Sequence, residues 1–267
     1  MKKFVTKTVL TSILALILVT NVSAGEVMDR ILARGELVVG TTGTQVPFTA
    51  TTKSGGMIGM DIDLAKLIGA NMGVKVKFEK MPFAELLPNL DSGKIDMILS
   101  SMTMTLKRNL KVAFVGPYYL SGKGILTKTQ TIATIETPEG LNKPSLTIAA
   151  LKDSTSKIFV DRSAPKAKLV TTDSLEDAVT LLLDDKIDAL ISDYPFSAVT
   201  AYRYPDKNLR AGKAPLNFEP LGIAVQPDAL LINWLQNFLI FMDASKELER
   251  LHKFWLKNAS WLKDIAP

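Results

Sequence analysis

The chain of 267 residues contains no cysteine and a single histidine. Without cysteine it forms no disulfide, holds no metal through a thiolate and carries no lipid on an N-terminal cysteine. The histidine, His252, lies among charged residues, where we expect a solvent-exposed helix face. The sequence also lacks GxSxG, GxGxxG and Walker-type loops, and any spacing typical of metal ligands. It therefore predicts no catalytic residue, no metal and no cofactor.

The sequence also has no strong excess of positive or negative charge. The formal net charge is +5, but Lys2, Lys3 and Lys7 lie in a predicted leader, and without them 29 basic residues face 27 acidic ones. The basic residues are spread along the chain, whereas a surface that follows a phosphate backbone needs them clustered. We expect no nucleic-acid partner.

The first 24 residues have the pattern of a secretory signal peptide. A positive start, MKKFVTK, precedes the apolar run VLTSILALILV, which is too short to span a bilayer. Val22 and Ala24 are the small residues that place cleavage after Ala24. The mature protein is expected to be freely soluble in the periplasm.

After the leader, strand and helix patterns alternate. ELVVG predicts a strand, DIDLAKLIGANMG a helix capped by Asp61 and ended by Gly73, and VKVKFEK a second strand. PFAELLPNLDSG predicts a short helix and KIDMILSS a third strand. This order is typical of an α/β fold with a parallel sheet flanked by helices.

The second half repeats the first. KIDALISDYP begins at Lys186, 92 residues after the similar KIDMILSSMT at Lys94. Only two copies occur, so we predict a doubled domain rather than a solenoid. Ligands of open α/β sheets bind at the carboxyl ends of parallel strands. Ser100-Ser101 and Ser192-Asp193 follow two such strands, and we expect them to form opposite walls of one cleft.

The candidate binding groups follow these strands. Arg108, with the hydroxyls of Ser101 and Thr103, can hold a carboxylate, although an arginine here could also cap a turn. Asp193, if buried, needs a cation or hydrogen-bond donors; a ligand ammonium would serve, and helix capping is the alternative. The run Ser154, Thr155, Ser156 precedes a helix and suits an anion, but such runs also cap helices.

The ordered set of motifs resembles the periplasmic solute-binding proteins of polar amino-acid ABC transporters, the family 3 extracellular solute-binding proteins. The set comprises ILARGELVVGTTGTQVPF, GGMIGMDIDLAKLIGANMG, SGKIDMILSSMTMTLKRNLKVAFVGPYY, DSTS, IDALISDYP and FWLKNASWLKDIA. The resemblance implies two lobes, each a mostly parallel sheet flanked by helices, joined by hinge strands near 118–122 and 216–220. Lobe 1 is expected to comprise residues 25–122 and 217–267, and lobe 2 residues 123–216.

The resemblance also implies roles for individual residues. The positions of Arg108, Ser101, Thr103 and Thr155 hold an α-carboxylate in this family, and that of Asp193 takes the α-ammonium. An aromatic residue at the position of Phe83 stacks on the ligand side chain. The full set of candidate ligand-binding residues is Thr42, Gln45, Phe83, Ser100, Ser101, Met102, Thr103, Arg108, Ser154, Thr155, Ser156 and Asp193. The resemblance implies two partners, a small ligand of the amino-acid class and an inner-membrane ABC permease; a monomer is expected.

Three positions depart from the family pattern. Gln45 replaces a second aromatic residue, Thr42 stands where many relatives carry an acid, and Asp153 where glycine is common. The side-chain pocket is therefore the part that the resemblance predicts least.

Two alternative functions remain. The opening DRILARGELVVGTTG is also similar to periplasmic cyclohexadienyl dehydratases, enzymes that use a glutamate three residues after the aspartate matched by Asp193. Phe196 occupies that position, so the proton donor is missing. The other alternative is a ligand-sensing subunit of a membrane receptor.

Overall fold

The computed structural model describes residues 25–132 and 135–266. The predicted signal peptide, residues 1–24, lies outside the described residues. Within the described part, no helix has the length and apolar character needed to cross a membrane.

Helices and strands alternate along most of the chain. The helices are α1 (Glu26–Arg34), α2 (Met60–Met72), α3 (Phe83–Asp91), α4 (Thr129–Ile132), α5 (Pro138–Leu141), α6 (Thr155–Ser163), α7 (Leu175–Leu183), α8 (Tyr194–Arg203), α9 (Ala229–Ala244) and α10 (Glu247–Lys257). The strands are β1 (Glu36–Thr41), β2 (Thr44–Gln45), β3 (Thr49–Thr51), β4 (Met57–Ile58), β5 (Lys75–Lys80), β6 (Met97–Ile98), β7 (Ala113–Ser121), β8 (Lys123–Lys128), β9 (Thr147–Leu151), β10 (Lys168–Thr172), β11 (Ala189–Asp193), β12 (Leu209–Ala211) and β13 (Glu219–Val225).

Two five-stranded sheets dominate the fold. The first has the order β5-β1-β6-β13-β7 and the second the order β10-β9-β11-β8-β12. In the first, β1 runs parallel to β5 and β6, whereas β13 is antiparallel to β6 and β7. In the second, β9 runs parallel to β10 and β11, whereas β8 is antiparallel to β11 and β12. The α/β class is as predicted, but each sheet is mixed rather than mostly parallel.

The chain passes twice between the two sheets. It leaves the first sheet at the end of β7, enters the second at β8 through Gly122, and returns between β12 and β13. At Gly122 a Cβ atom would lie 1.9 Å from the carbonyl oxygen of Asn217, so the two crossing segments approach too closely for a side chain. This strand membership supports the lobe boundaries inferred from the sequence, which we retain as a proposal.

A third, small sheet and the last helices complete the first unit. The sheet has the order β2-β3-β4 and precedes α2. Trp255 of α10 is buried, packs 5.2 Å from the ring of Trp261, and donates its indole N–H to Asp63. These contacts hold α10 against α2 and the C-terminal segment.

Two expectations about local structure were wrong. Asp61 does not cap α2, because the helix begins at Met60 with Gly59 as the N-cap residue, and Asp61 lies inside the first turn, fully buried. His252 is half-buried: its Nε2 atom lies 3.0 Å from the carbonyl oxygen of Tyr118. The expected C-terminal stop is confirmed, since Gly73 adopts a left-handed φ of 73°.

Candidate functional site

The carboxyl ends of β6 and β11 face each other across a small cavity between the two large sheets. Its lining residues are Gln45, Phe83, Ser101, Thr103, Lys123, Leu151, Ser154, Thr155, Ser156, Leu175, Ser192 and Asp193. The two similar phrases of the sequence therefore do contribute to one cavity. A wider groove beside the C-terminal segment is lined by none of the residues expected at the site.

Asp193 forms a buried ion pair with Lys123. The two residues are cross-strand neighbours in the antiparallel register of β11 and β8, and Lys123 Nζ lies 2.7 Å from Asp193 Oδ1. The Lys123 side chain is only 2% exposed. Asp193 precedes α8, but its side chain makes no capping hydrogen bond, so the capping alternative is wrong. The buried carboxylate thus finds its cation within the chain.

Glu219, the first residue of β13, shares the same ammonium. Lys123 Nζ lies 2.8 Å from Glu219 Oε2, which also accepts hydrogen bonds of 2.8 Å from the hydroxyls of Thr103 and Thr155. Its other oxygen, Oε1, accepts from the side-chain amide of Asn217. Since Thr103 and Thr155 follow strands of different sheets, Glu219 links the two walls of the cavity.

Burial and charge compete for the protonation of these three side chains. Burial raises the pKa of Asp193, although the nearby Lys123 ammonium opposes it. Burial disfavours the charged form of Lys123, but Asp193 and Glu219 outweigh this and raise the pKa of the ammonium. For Glu219, burial is outweighed by Lys123 and by the hydroxyl donors, which hold its pKa below the ordinary value. A charged lysine between two carboxylates is the arrangement that these shifts favour.

Sequence reasoning missed Lys123 and Glu219. Lys123 directly follows the first predicted hinge segment and Glu219 lies within the second, in the apolar contexts GKGILT and NFEPLGIAV. Each is a single charged residue at the start of an apolar strand. This pattern could have indicated a buried ion pair, because a buried charge requires a partner.

Arg108 lies beside the cavity rather than in its wall. Its Nη1 donates to the Thr103 carbonyl oxygen at 2.9 Å, its Nη2 reaches the Asp153 carbonyl oxygen at 3.4 Å, and its guanidinium lies 5.5 Å from the centre of the Phe83 ring. No acidic side chain of the described residues lies within 4.0 Å of it. Burial lowers the pKa of Arg108, against the charges of Glu219 and Asp193. The guanidinium thus keeps its charge without a paired carboxylate.

Gln45 is held by two of the expected site residues. The Ser100 hydroxyl donates to Gln45 Oε1 at 3.0 Å and the Thr42 hydroxyl at 3.3 Å, and the Thr42 backbone N–H donates to Ser100 Oγ. Only Gln45 of the three lines the cavity. Thr42 and Ser100 therefore orient Gln45, and Met102, fully buried in the apolar core, does not reach the cavity.

Ser101 turns sharply at the end of β6. Its φ is 44°, its backbone N–H donates to Asp61 Oδ2 at 2.6 Å, and its hydroxyl is buried in the cavity wall without a partner among the described residues. Burial raises the pKa of Asp61 to about 7; the Ser101 N–H and the Tyr118 hydroxyl oppose this, and the charge of Asp193 adds to it.

The opposite wall comes from the start of α6. Ser154 is the N-cap residue: its Oγ accepts from the Lys157 N–H at 3.2 Å and donates to the Leu151 carbonyl oxygen at 2.6 Å. Helix capping thus accounts for Ser154, whereas Thr155 contacts Glu219 and lies with Ser156 in the cavity wall. Asp153, where glycine is common in the family that the sequence resembles, adopts a left-handed φ of 55°.

Residues 37–258 match the model of the bacterial extracellular solute-binding proteins, family 3. The chain belongs to this family. In sequence it is similar to ABC transporter arginine-binding protein 1 of Escherichia coli, with 28% identity over 81% of this chain and 88% of that protein. It is also similar to a cyclohexadienyl dehydratase of Pseudomonas aeruginosa, with 24% identity over 86% of each chain.

Solved structures of binding proteins superpose on the fold. A binding component of an ABC transporter from Wolinella succinogenes, complexed with lysine, has 34% identity and a TM-score of 0.82 over 86% of this chain and 100% of its own. An ancestral amino acid-binding protein, described as a precursor of cyclohexadienyl dehydratase, has 34% identity and a TM-score of 0.80 over 86% of this chain and 98% of its own. The two-lobed fold is therefore shared with amino acid-binding proteins.

Phe196 occupies the position at which the cyclohexadienyl dehydratases carry their glutamate. This residue lies three positions beyond Asp193, inside α8, and its side chain is only 3% exposed. A phenyl ring has no proton to donate, so this position offers no general acid.

Proposed function

We propose that this protein captures a small carboxylate-bearing solute, an amino acid or a similar compound, between its two lobes. The observation that carries the proposal is the convergence of polar groups from both large sheets on one cavity, with the Arg108 guanidinium beside it. Arg108 would bind the carboxylate, because a guanidinium offers two parallel N–H donors to it. Amino acids are named as ligands of several relatives.

Capture would proceed by closure about the two connections between the sheets. The hydroxyls of Thr103 and Thr155 lie 3.2 Å apart across the cavity, a contact that supports assigning this conformation to the closed form. Opening would separate these hydroxyls and admit the ligand, and ligand contacts with both walls would favour closure again.

The proposal includes export and delivery. The predicted signal peptide would send the protein to the periplasm, where it would act as a monomer and pass its ligand to an inner-membrane ABC permease. The names of the relatives support the transporter part, since several are binding proteins of ABC transporters.

A thermal-shift screen of residues 25–267 against amino acids, hydroxy acids and oxo acids tests the function. A ligand at 100 times its dissociation constant adds about 2.7 kcal/mol to the free energy of unfolding, enough for a clear shift. We expect at least one of these compounds to stabilise the protein and, in small-angle scattering, to reduce its radius of gyration. If no small carboxylate stabilises a folded preparation, the proposal is wrong.

An enzyme of the cyclohexadienyl dehydratase type is the second candidate. The similarity to the Pseudomonas aeruginosa enzyme favours it. The absence of an acidic side chain at Phe196 argues against it, because general acid catalysis typically contributes about 10²–10⁴ in rate. We therefore propose binding without turnover.

A further inference from the structure

We propose that Lys123 replaces the ammonium group of an amino acid in this site, so that the preferred ligand is a 2-oxo or 2-hydroxy carboxylic acid rather than an amino acid. The inference rests on the proposed function and specifies its ligand class. It follows from which charged and polar groups around the cavity are already paired.

The acidic groups of the cavity are already engaged. Three of the four carboxylate oxygens of Asp193 and Glu219 accept hydrogen bonds from the chain, and both carboxylates contact the same Lys123 ammonium. A ligand ammonium would have to bind Asp193 Oδ2 beside a buried, like-charged group. Two ammonium groups a few ångströms apart repel each other strongly where water is excluded.

The hydrogen-bond donors around the cavity, in contrast, are not all paired. Arg108 has no carboxylate partner within 4.0 Å among the described residues, and the Ser101 hydroxyl is buried without a partner. The hydrogen bonds from Ser100 and Thr42 fix Gln45 Oε1 and leave the Gln45 amide N–H groups unpaired among the described residues. Such a wall suits a ligand with several acceptor oxygens, since unmet buried donors are costly.

A carboxylate with an adjacent oxo or hydroxyl oxygen has acceptors for the hydrogen bonds of these donors. Its carboxylate would face Arg108, and its second oxygen would face Ser101, Gln45 or the Lys123 ammonium. Lys123 is paired with Asp193 and Glu219, so the Arg108 guanidinium is the positive charge of this group that remains for the ligand carboxylate. The apolar lining residues Phe83, Leu151 and Leu175 suit an apolar ligand side chain.

Titration calorimetry with matched compounds tests the proposal. The probes are phenylalanine, phenylpyruvate and phenyllactate, and leucine, 4-methyl-2-oxopentanoate and 2-hydroxy-4-methylpentanoate; each set shares one side chain. We expect the wild-type protein to bind the oxo or hydroxy acid of a set at least tenfold more tightly than its amino acid. Equal or tighter binding of the amino acid would overturn the proposal while leaving the proposed function intact. If neither these sets nor the wider screen yields a ligand, the proposed function fails too.

A double variant tests the role of Lys123 directly. Lys123→Gln with Glu219→Gln removes one charge of each sign, keeps an acceptor for Thr103 and Thr155, and frees Asp193 for a ligand ammonium. We expect the preference to shift by at least tenfold toward the amino acid. Lys128→Gln is the matched control. Lys128 lies in β8, like Lys123, but its ion pair with Asp185 is outside the cavity. An unchanged preference in a folded double variant would contradict the role; if the double variant does not fold, the wild-type comparison still decides.

Discussion

Replacing Lys123 by Met should destabilise the protein even in the absence of ligand. The Lys123 ammonium is 2% exposed and lies 2.7 Å from Asp193 and 2.8 Å from Glu219. Methionine fills a similar volume but leaves two carboxylates facing each other without a counterion. Because of this pairing, changes at Asp193 should affect folding as well as ligand binding.

The expected size follows from what each variant leaves unpaired. Removing one partner of a buried ion pair costs about 3–5 kcal/mol, so we expect Lys123→Met to lower the free energy of unfolding by that amount at pH 8. Asp193→Asn should cost less, about 1.5–3 kcal/mol, because Lys123 keeps Glu219 and loses one charged hydrogen bond. Acidification should reduce the loss in Lys123→Met, since the unpaired carboxylates of the folded state would take up protons more readily than those of the unfolded chain.

Urea unfolding followed by circular dichroism measures these losses. Lys128→Met is the control: its partner Asp185 is 74% exposed, and such a pair contributes at most about 1 kcal/mol. If Lys123→Met unfolds within 1 kcal/mol of wild type at pH 8, with an unchanged denaturant slope, the ammonium is not the buried link between the two carboxylates.

Three further predictions concern ligand binding, pH and turnover. Arg108→Ala should weaken binding of the best ligand of the screen by about 2–5 kcal/mol in calorimetry, whereas the exposed neighbour change Lys107→Ala should not; similar losses in both would refute the carboxylate role. The pKa of Asp61 is raised to about 7, so its contribution to stability is present below about pH 4 and is lost as pH rises toward 7, by up to about 4 kcal/mol. In urea unfolding, Asp61→Asn should flatten this part of the curve of stability against pH. An unchanged curve would contradict the assignment. Incubation with prephenate or arogenate should yield no phenylpyruvate or phenylalanine above the uncatalysed background, and product formation would establish an enzyme.

The sequence by itself determined the α/β class and the doubled organisation. Apolar periodicity specifies helices such as α2 and strands such as β1, and the repeated phrase marks two equivalent strand ends. The placement of Ser101 and Asp193 at one cavity followed, because carboxyl ends of parallel strands gather where ligands bind. These are local patterns combined with a general rule of sheet topology.

Only the tertiary structure decided which charges meet. Lys123 and Asp193 are 70 residues apart, and Glu219 is farther still along the chain; they come together because β8 pairs antiparallel with β11 and because β13 begins where the chain returns from the second sheet. The antiparallel halves of both sheets were not apparent in the sequence, since a buried strand has the same apolar run in either direction. The sequence can indicate that a buried charge needs a partner, but only the strand register determines which residue that partner is.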